Sequence, residues 1–463
     1  MLTYDLEGRG QSALYEYLYR CIREDVLAGR LAAGEKMPSK RSLARHLQVG
    51  VVTVENAYAQ LVAEGYLYAR EKRGYYVNRI EPRLPVPPAP PRREAPPPEQ
   101  SWLLDLKSGG GGTEGFPFSV WARLLRGVLS DGGADLMRAT PHNGAPELRR
   151  AIAGHLYRFR GLSVSPEQIV VGAGSEYLYN MAVQLLGQDR VYGVEDPGYP
   201  KAAKIYRLNG ARCRAVPIDG RGLPPEALAH SDVQVMHLSP SHQFPTGAVL
   251  PIARRQALLR WAREGEGRYL IEDDYDSEFR FAGRPIPSLQ SIDTAGRVLY
   301  MNTFSRSLAP SLRLSYMVLP EALLETFRRR LGFYACPSPA IEQYALARFL
   351  SQGYFEQHIN RMRGFYRNRR DQVISAIQQS PLAGRCRIWG QEGGLHFLLR
   401  LETERSDWDL AQAAEAQGLR LAFLSDYAQR TGQPHVLVVR YPGVDPETLP
   451  LALERLAALL GER

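Results

Sequence analysis

The sequence predicts two folding units of different class: a small helical unit closed by a β-hairpin, and a large α/β unit with a mostly parallel sheet. Three observations support this division. Residues 14–61 carry apolar side chains at helical spacing, residues 80–102 contain nine prolines, and from Asp105 onward short apolar runs alternate with long helical patterns. With 463 residues, the chain is also too long for one ordinary core.

Composition limits the classes of protein to consider. Apolar residues make up 44% and charged residues 23% of the chain, which are globular values. There is no run of roughly 18 apolar residues and no basic segment followed by an apolar one at the start, so we expect a cytoplasmic protein without a membrane span. The four cysteines lack the spacing of a zinc site or a disulfide framework. The net charge of +9 permits a nucleic-acid partner.

Residues 10–79 are predicted to form three helices and a hairpin. The first helix ends at Gly29, and the second begins after Pro38. The third helix covers about 51–64, and residues 66–77 then alternate as a hairpin does. The apolar positions that these helices would bury are Leu14, Leu18, Ile22, Val26, Leu43, Ala44, Leu47, Val54, Ala57, Tyr58 and Leu61.

Three helices with a tight second turn and a basic hairpin make a winged helix-turn-helix. This shape places its third helix in the major groove of double-stranded DNA and its wing on the backbone. Segment 36–45 is basic and contains no acid, which suits phosphate contacts. The expected phosphate contacts are Lys40, Arg41, Arg45, Lys72 and Arg73. The expected base-facing residues are Val52, Glu55 and Asn56, and the surface is completed by Ser39, Val51 and Thr53.

Two segments of this unit, Met37-Pro-Ser-Lys-Arg-Ser-Leu-Ala44 and residues 53–67, closely resemble the GntR class of bacterial repressor domains. The resemblance covers roughly residues 10–78 and implies a DNA-binding head. The chain departs from it where GntR-like domains commonly have a serine cap and an arginine, because Gly50 and Val51 stand there. Glycine still caps a helix at small cost, whereas valine offers only an apolar contact, for instance to a thymine methyl. A small domain that merely dimerises is the alternative.

Residues 80–102 are predicted to be an extended, semi-rigid tether, because a proline-rich chain has little apolar surface to bury. A second unit, residues 103–463, follows it. In that unit the polar residues of interest come directly after predicted strands, where ligands of parallel sheets bind.

Two strand ends carry candidate ligand groups. Gly172-Ala-Gly-Ser-Glu176 opens a helix, and small residues there let backbone amides approach a phosphate, although a tight strand-to-helix turn has the same pattern. Glu272-Asp-Asp-Tyr-Asp-Ser-Glu-Phe279 is an acidic cluster in which a carboxylate can bond to a protonated pyridine nitrogen. Acidic clusters also bind metals, but no histidine lies nearby at ligand spacing, so no metal is predicted.

These segments resemble the aminotransferase-like, fold-type I domain of the MocR branch of GntR regulators, and the resemblance extends over almost the whole chain. The other motifs that carry it are Glu195-Asp-Pro-Gly-Tyr199, Ser239-Pro-Ser-His-Gln-Phe-Pro-Thr-Gly247, the segment 303–313 and Gly393-Gly-Leu-His396. The resemblance implies a large α/β domain with a smaller α+β C-terminal subdomain, assembled as a homodimer that binds a small-molecule effector.

The resemblance also implies roles for individual residues. Asp273 would pair with the pyridine nitrogen of pyridoxal phosphate, Tyr275 with its ring oxygen, and Tyr199 would stack near the ring. Arg440 is a candidate for a ligand carboxylate, although a surface arginine before Tyr-Pro-Gly would look the same in the sequence. The residues that would hold the phosphate are Gly174, Ser175, Ser305 and Arg313.

Arg306 stands where such a domain needs a lysine. A deprotonated amine forms a Schiff base with the cofactor aldehyde, whereas a guanidinium stays protonated and is no usable nucleophile. The spacing of Lys201 and Lys204 does not indicate a substitute. Three outcomes follow: pyridoxal phosphate binds without a covalent bond, another anionic ligand pairs with Arg306, or the pocket is vestigial and acids such as Asp273 hold Arg306.

The favoured function is a ligand-responsive transcription factor without enzyme activity. The alternatives are a pyridoxal-phosphate-dependent aminotransferase with an accessory DNA-binding domain, and a dimerisation domain that carries a repressor head and ignores metabolites.

Overall fold

The computed structural model describes residues 2–6, 10, 12–80, 101–107, 115–281, 287–430 and 432–461, with residue 135 described by its backbone only. The chain divides into two compact units, residues 1–99 and 100–463. Residues 81–100 of the predicted tether lie outside the described residues.

The first unit is called the head (residues 2–80). Its helices and strands are α1 (Leu14–Leu27), α2 (Lys40–His46), α3 (Val51–Ala63), β1 (Leu67–Arg70) and β2 (Gly74–Val77). Ser39 caps α2, because its Oγ accepts a hydrogen bond of 3.1 Å from the backbone N–H of Ser42. Strands β1 and β2 pair antiparallel with Tyr68 opposite Tyr76. The predicted winged helix-turn-helix is confirmed, and every apolar position predicted for α3 is buried in the head core.

The second unit is called the large domain (residues 101–461). Its strands are β3 (Leu104–Asp105), β4 (Ile169–Gly172), β5 (Val191–Asp196), β6 (Arg212–Pro217), β7 (Val235–Leu238), β8 (Tyr269–Asp273), β9 (Val298–Thr303), β10 (Ser315–Val318), β11 (Cys386–Trp389), β12 (Phe397–Leu401), β13 (Leu419–Arg420) and β14 (Val436–Val439). Its α-helices are α4 (Phe118–Gly132), α5 (Pro146–Arg160), α6 (Ser175–Leu186), α7 (Pro200–Leu208), α8 (Glu226–Ala229), α9 (Ile252–Glu264), α10 (Phe304–Ser307), α11 (Glu321–Leu331), α12 (Ala340–Ser351), α13 (Tyr354–Gln379), α14 (Asp407–Glu415) and α15 (Leu449–Leu459). Short 3-10 helices cover Gly133–Met137, Pro166–Gln168, Ser277–Phe279, Gln290–Ile292, Pro310–Leu312, Leu424–Tyr427 and Tyr441–Gly443.

Seven strands form the central sheet in the order β4-β10-β9-β8-β7-β5-β6. All neighbours are parallel except β10, which is antiparallel to both β4 and β9. Strands β4, β7, β8 and β9 are buried along their whole length, as expected for a sheet covered on both faces. The mostly parallel sheet is confirmed. The reversed strand was not predicted, because apolar runs mark a strand without giving its direction.

A smaller α+β subdomain follows α13, as expected. Strands β11, β12 and β14 form an antiparallel sheet, and β13 pairs with β3 from the start of the domain. The carboxyl ends of the central strands then meet at one edge of the main sheet. Gly172 and Thr303 both lie opposite Ser315, and Asp273 lies beside Met301 of β9. This edge brings together the segments that the sequence marked as candidate ligand groups.

Candidate functional sites in the two units

The first helical turn of α3 presents an apolar surface to solvent. Val51 is 43% exposed and Val52 67% exposed, and no other large apolar residue of the described head is exposed. Glu55 and Asn56 are exposed on the same helix, whereas Thr53 is half-buried. Exposed valines are unfavourable in water, and in a major groove they can contact thymine methyl groups. The first turn of α3 is therefore suited to a base-reading role.

The predicted phosphate contacts are not equivalent. Arg41 and Arg45 on α2 and the wing residues Lys72 and Arg73 are exposed. Lys40 instead donates a hydrogen bond of 2.5 Å from Nζ to Oε1 of Glu55. This pair joins α2 to α3 and competes with any contact that either side chain makes to DNA. The hydroxyl of Ser39 is engaged as the α2 cap.

The large domain contains a cavity at the carboxyl edge of its sheet. The residues that line it are Ser175, Tyr179, Tyr199, Ser239, Phe244, Asp273, Tyr275, Thr303, Arg306 and Arg440. Six of them were singled out from the sequence. They come from segments up to 265 residues apart, as the numbers 175 and 440 show.

Asp273 ends β8 and is buried in this cavity. Its Oδ2 accepts a short hydrogen bond from the hydroxyl of Tyr179 and lies 3.4 Å from Nε2 of His237. Burial, reinforced by the neighbouring charge of Asp273, raises the pKa of Tyr179 well above its usual value, so Tyr179 remains a donor. Oδ1 of Asp273 is buried and has no hydrogen-bond partner among the described residues. The cavity therefore offers an acceptor that requires an N–H or O–H donor.

At the start of α6, a glycine lies against the guanidinium of Arg313. Gly174 has a φ of +94°, and a Cβ there would come within 2.5 Å of Nη2 of Arg313. Glycine is thus required both by the backbone conformation and by the approach of the guanidinium. Arg313 contacts the carbonyl of Ala173 at 3.4 Å and Oε2 of Glu176 at 3.3 Å. The N-terminus of the 12-residue helix α6 adds a partial positive charge.

Ser305 lies on the neighbouring strand-end loop between β9 and β10. Thr303 caps the short helix α10 by accepting a hydrogen bond of 3.1 Å from the N–H of Ser305. Ser315 donates to the same Thr303 Oγ1 at 2.7 Å, which closes the loop. The Oγ of Ser305 is buried and has no hydrogen-bond partner among the described residues, and Ser305 lies next to Arg306 of the cavity lining.

Aromatic rings form the walls of the cavity. Phe244 stands edge-on to Tyr199, Tyr275 and Tyr427, with ring centroids 6.1, 6.3 and 5.1 Å away. Burial raises the pKa of Tyr275 well above its usual value, so its hydroxyl is a neutral hydrogen-bonding group. Flat apolar walls with polar groups at the ends suit an aromatic ligand.

Two arginines complete the cavity. Arg440 donates to the carbonyl of Lys107 at 2.7 Å and to the hydroxyl of Tyr427 at 3.0 Å, so it is not a surface arginine. Arg306 lines the cavity without a hydrogen bond or ion pair to any described residue. In particular, Asp273 does not hold it.

Sequence reasoning missed several contributors to the cavity. Tyr179 lies one helical turn after Ser175, so helix geometry alone could have pointed to it. Ser239 and Phe244 belong to a segment that was noted without a role for either. His237, which supports Asp273, lies on the neighbouring strand β7 and is visible only in the paired sheet.

The structure also gathers His242, Asp276 and His396, whose ligand-type atoms lie within 4.8 Å of one another. This cluster was not predicted from the sequence, because 34 residues separate His242 from Asp276 and His396 is more distant still. Within the protein, Nδ1 of His242 lies 2.8 Å from Oδ2 of Asp276, and Nε2 of His396 lies 2.9 Å from the carbonyl of Pro245. These hydrogen bonds hold part of the cluster as a polar network, Nε2 of His242 has no partner among the described residues, and the absence of a metal stays a prediction.

Both units match known protein families. Residues 14–77 match the family of bacterial regulatory proteins called gntR, and residues 113–456 match aminotransferase class I and II. The chain is 36% identical to the uncharacterized HTH-type transcriptional regulator YdeL of Bacillus subtilis over 96% of each chain. It is 34% identical to the pyridoxine biosynthesis transcriptional regulator PdxR of Corynebacterium glutamicum, over 94% of this chain and 93% of that protein. It is 32% identical to the probable rhizopine catabolism regulatory protein MocR of Rhizobium meliloti, over 94% of this chain and 91% of that protein.

Solved structures share the fold of the large domain. An archaeal alanine:glyoxylate aminotransferase matches with a TM-score of 0.69 and 24% identity, over 77% of this chain and 90% of that one. A kynurenine aminotransferase of Pyrococcus horikoshii matches with a TM-score of 0.70 and 23% identity, over 78% of this chain and 91% of that one. In the described part of the chain, no helix is both long and apolar enough to cross a bilayer.

Proposed function

Since the chain belongs to the MocR-type branch of the GntR family of transcriptional regulators, we propose that its large domain is a sensor that binds pyridoxal phosphate, or a closely related anionic metabolite, without a covalent bond. The head binds operator DNA. Two copies form a homodimer, and occupancy of the cavity changes the affinity or spacing of the paired heads on DNA.

The observation that carries this proposal is the combination of a fitting cavity with a missing amine. The unpartnered Oδ1 of Asp273 suits the N–H of a protonated pyridine ring. The unpartnered Oγ of Ser305 and the start of α6 at Gly174 suit a phosphate. Tyr199, Tyr275 and Phe244 supply the flat walls. Pyridoxal phosphate, when bound, supplies an electron sink, and these residues fix its orientation.

The amine that transamination requires is absent from the described lining of the cavity, which contains arginines but no lysine. Lys201 lies outside that lining and donates to Oε1 of Glu176 at 2.6 Å, with its side chain 60% exposed. Arg306 cannot attack an aldehyde or shuttle a proton, because its guanidinium stays protonated. We therefore infer a regulator without aminotransferase activity.

The test is reduction with borohydride in the presence of pyridoxal phosphate, followed by the intact mass of the full chain. We expect a cofactor absorbance that dialysis removes and no added mass in the native chain. Arg306→Lys should acquire one covalently attached cofactor. Attachment to Lys201 in the native chain, or conversion of an amino acid to its keto acid by that chain, would show that the sensor proposal is wrong.

A further inference from the structure

Arg306 and Arg440 differ from the other arginines of the cavity region in having no carboxylate partner. Arg313 pairs with Glu176 at 3.3 Å, and the buried Arg160 pairs with Asp274 at 2.9 Å. Among the described residues, neither Arg306 nor Arg440 has an acid within ion-pair distance. Arg306 is exposed and Arg440 is half-buried, so both guanidiniums keep their charge without an acid partner and are available to an anion.

The acid of the cavity does not neutralise them. Asp273 is the single carboxylate in the described lining, and its Oδ2 is already engaged by Tyr179 and His237. Its remaining oxygen needs a hydrogen-bond donor from the ligand. The lining therefore carries one negative and two positive side chains, with the N-terminus of α6 and Arg313 adding further positive charge beside Ser175.

These groups divide the ligand into three parts. In the proposed function, the ring N–H of the ligand faces Asp273 and its phosphate lies near Ser175, so its other substituents have Arg306 and Arg440 as polar neighbours. An aldehyde offers those arginines one neutral acceptor. A carboxylate offers two charged oxygens, which match the planar fork of a guanidinium.

We propose that the preferred ligand is a phosphorylated pyridine that carries a ring carboxylate in place of the aldehyde of pyridoxal phosphate, with Arg306 pairing to that carboxylate. This inference rests on the proposed sensor function and specifies its ligand. Arg306 then serves as the specificity-determining residue that favours the oxidised, unreactive form of the ring over the reactive aldehyde. Arg440, whose guanidinium lies 5.3 Å from the ring centroid of Phe244, adds a second positive charge to the same cavity.

The experiment is calorimetric titration of the full chain with two ligands: pyridoxal phosphate, and the same molecule with its aldehyde oxidised to a carboxylate. We expect the acid to bind at least tenfold more tightly, since a charge-assisted pair contributes more than a neutral hydrogen bond. Arg306→Gln should weaken the acid about tenfold and the aldehyde less than about threefold. Arg387→Gln, which removes an exposed arginine from β11, controls for net charge and should change neither affinity.

Each other outcome has a distinct meaning. If the aldehyde binds as tightly as the acid, or if Arg306→Gln weakens both equally, the ligand inference is wrong and the sensor proposal stands. If neither phosphorylated pyridine binds, the sensor proposal fails with it. Arg306→Lys does not serve this test, because its amine would form a Schiff base with the aldehyde and raise the affinity for that ligand alone.

Discussion

The head and the large domain place their functional charges in opposite environments. In the head, Arg41, Arg45 and Lys72 are exposed, and the partner proposed for them is the phosphate backbone of DNA. In the large domain, Asp273 and Tyr179 are buried and already hydrogen-bonded to each other before any ligand binds. The head thus depends on the distribution of exposed charge, whereas the large domain depends on a preorganised network. Changes to one unit should leave the other intact, which can be measured.

The largest expected effect tests whether the two cores are separate. Leu61→Ala in the head and Leu258→Ala in the large domain each remove a fully buried side chain, and each should destabilise its own unit by about 2–5 kcal/mol. All five tryptophans, at positions 102, 121, 261, 389 and 408, lie outside the head, so their fluorescence reports on the large domain. We expect Leu258→Ala to lower the midpoint of the unfolding transition measured by tryptophan fluorescence. Leu61→Ala should abolish DNA binding and leave that midpoint unchanged. A fluorescence transition shifted equally by both variants would contradict separate cores.

The next effect concerns the buried charges of the large domain. Burial raises the pKa of Glu195 to about 8, although the N–H of Ser239 donates to it at 3.0 Å. The folded state therefore holds this proton up to a higher pH than the unfolded state, and stability present below about pH 4.5 is lost as the pH rises toward 8. Glu195→Gln should remove this loss, which we expect to be about 1–3 kcal/mol between pH 5 and pH 8.

The measurement is chemical unfolding followed by tryptophan fluorescence at several pH values. Exposed Glu404→Gln is the matched control and should follow the native chain. We expect the variant to become more stable relative to the native chain as the pH rises. The opposite trend would contradict the raised pKa of Glu195.

A smaller effect tests the exposed charges of the head. Arg41→Ala should weaken DNA binding up to about tenfold and reduce the dependence of the binding constant on salt by about one ion. Fluorescence anisotropy with operator DNA at several salt concentrations measures both quantities. Arg20→Ala, on the exposed side of α1, should behave as the native chain. If the salt dependence of the binding constant were unchanged in Arg41→Ala, the assignment of Arg41 as a phosphate contact would be wrong.

The smallest effect tests the unusual start of α3. Gly50 has a φ of −64°, and a Cβ there would meet only Thr53 Oγ1 at 3.7 Å, so a serine fits. Gly50→Ser should add a capping hydrogen bond and stabilise the head by about 0.3 kcal/mol. Hydrogen exchange of the α3 amides in the full chain detects a change of this size. Slower exchange confined to α3 is expected, and faster exchange would mean that the glycine has another role.

The sequence by itself determined the head almost completely. Its helices, cap and buried positions follow from local periodicity, because the apolar side chains of one helix face recur at the spacing of a helical turn. Pairs between helices were not predicted, such as Lys40 with Glu55 and Tyr19 with Glu64, since side chains 15 and 45 residues apart give no local signal.

In the large domain the sequence identified the residues but not their arrangement. Because position 306 is an arginine, the sequence alone shows that this position has no amine for a Schiff base. The glycines at the start of α6 predicted a helix N-terminus. Only the tertiary structure decided that β10 runs antiparallel, that Tyr179 and His237 hold one oxygen of Asp273, and that Arg440 enters the same cavity. The physical reason is that a buried network depends on strand order and register, which bring together residues far apart in the chain and leave no periodicity for the sequence to display.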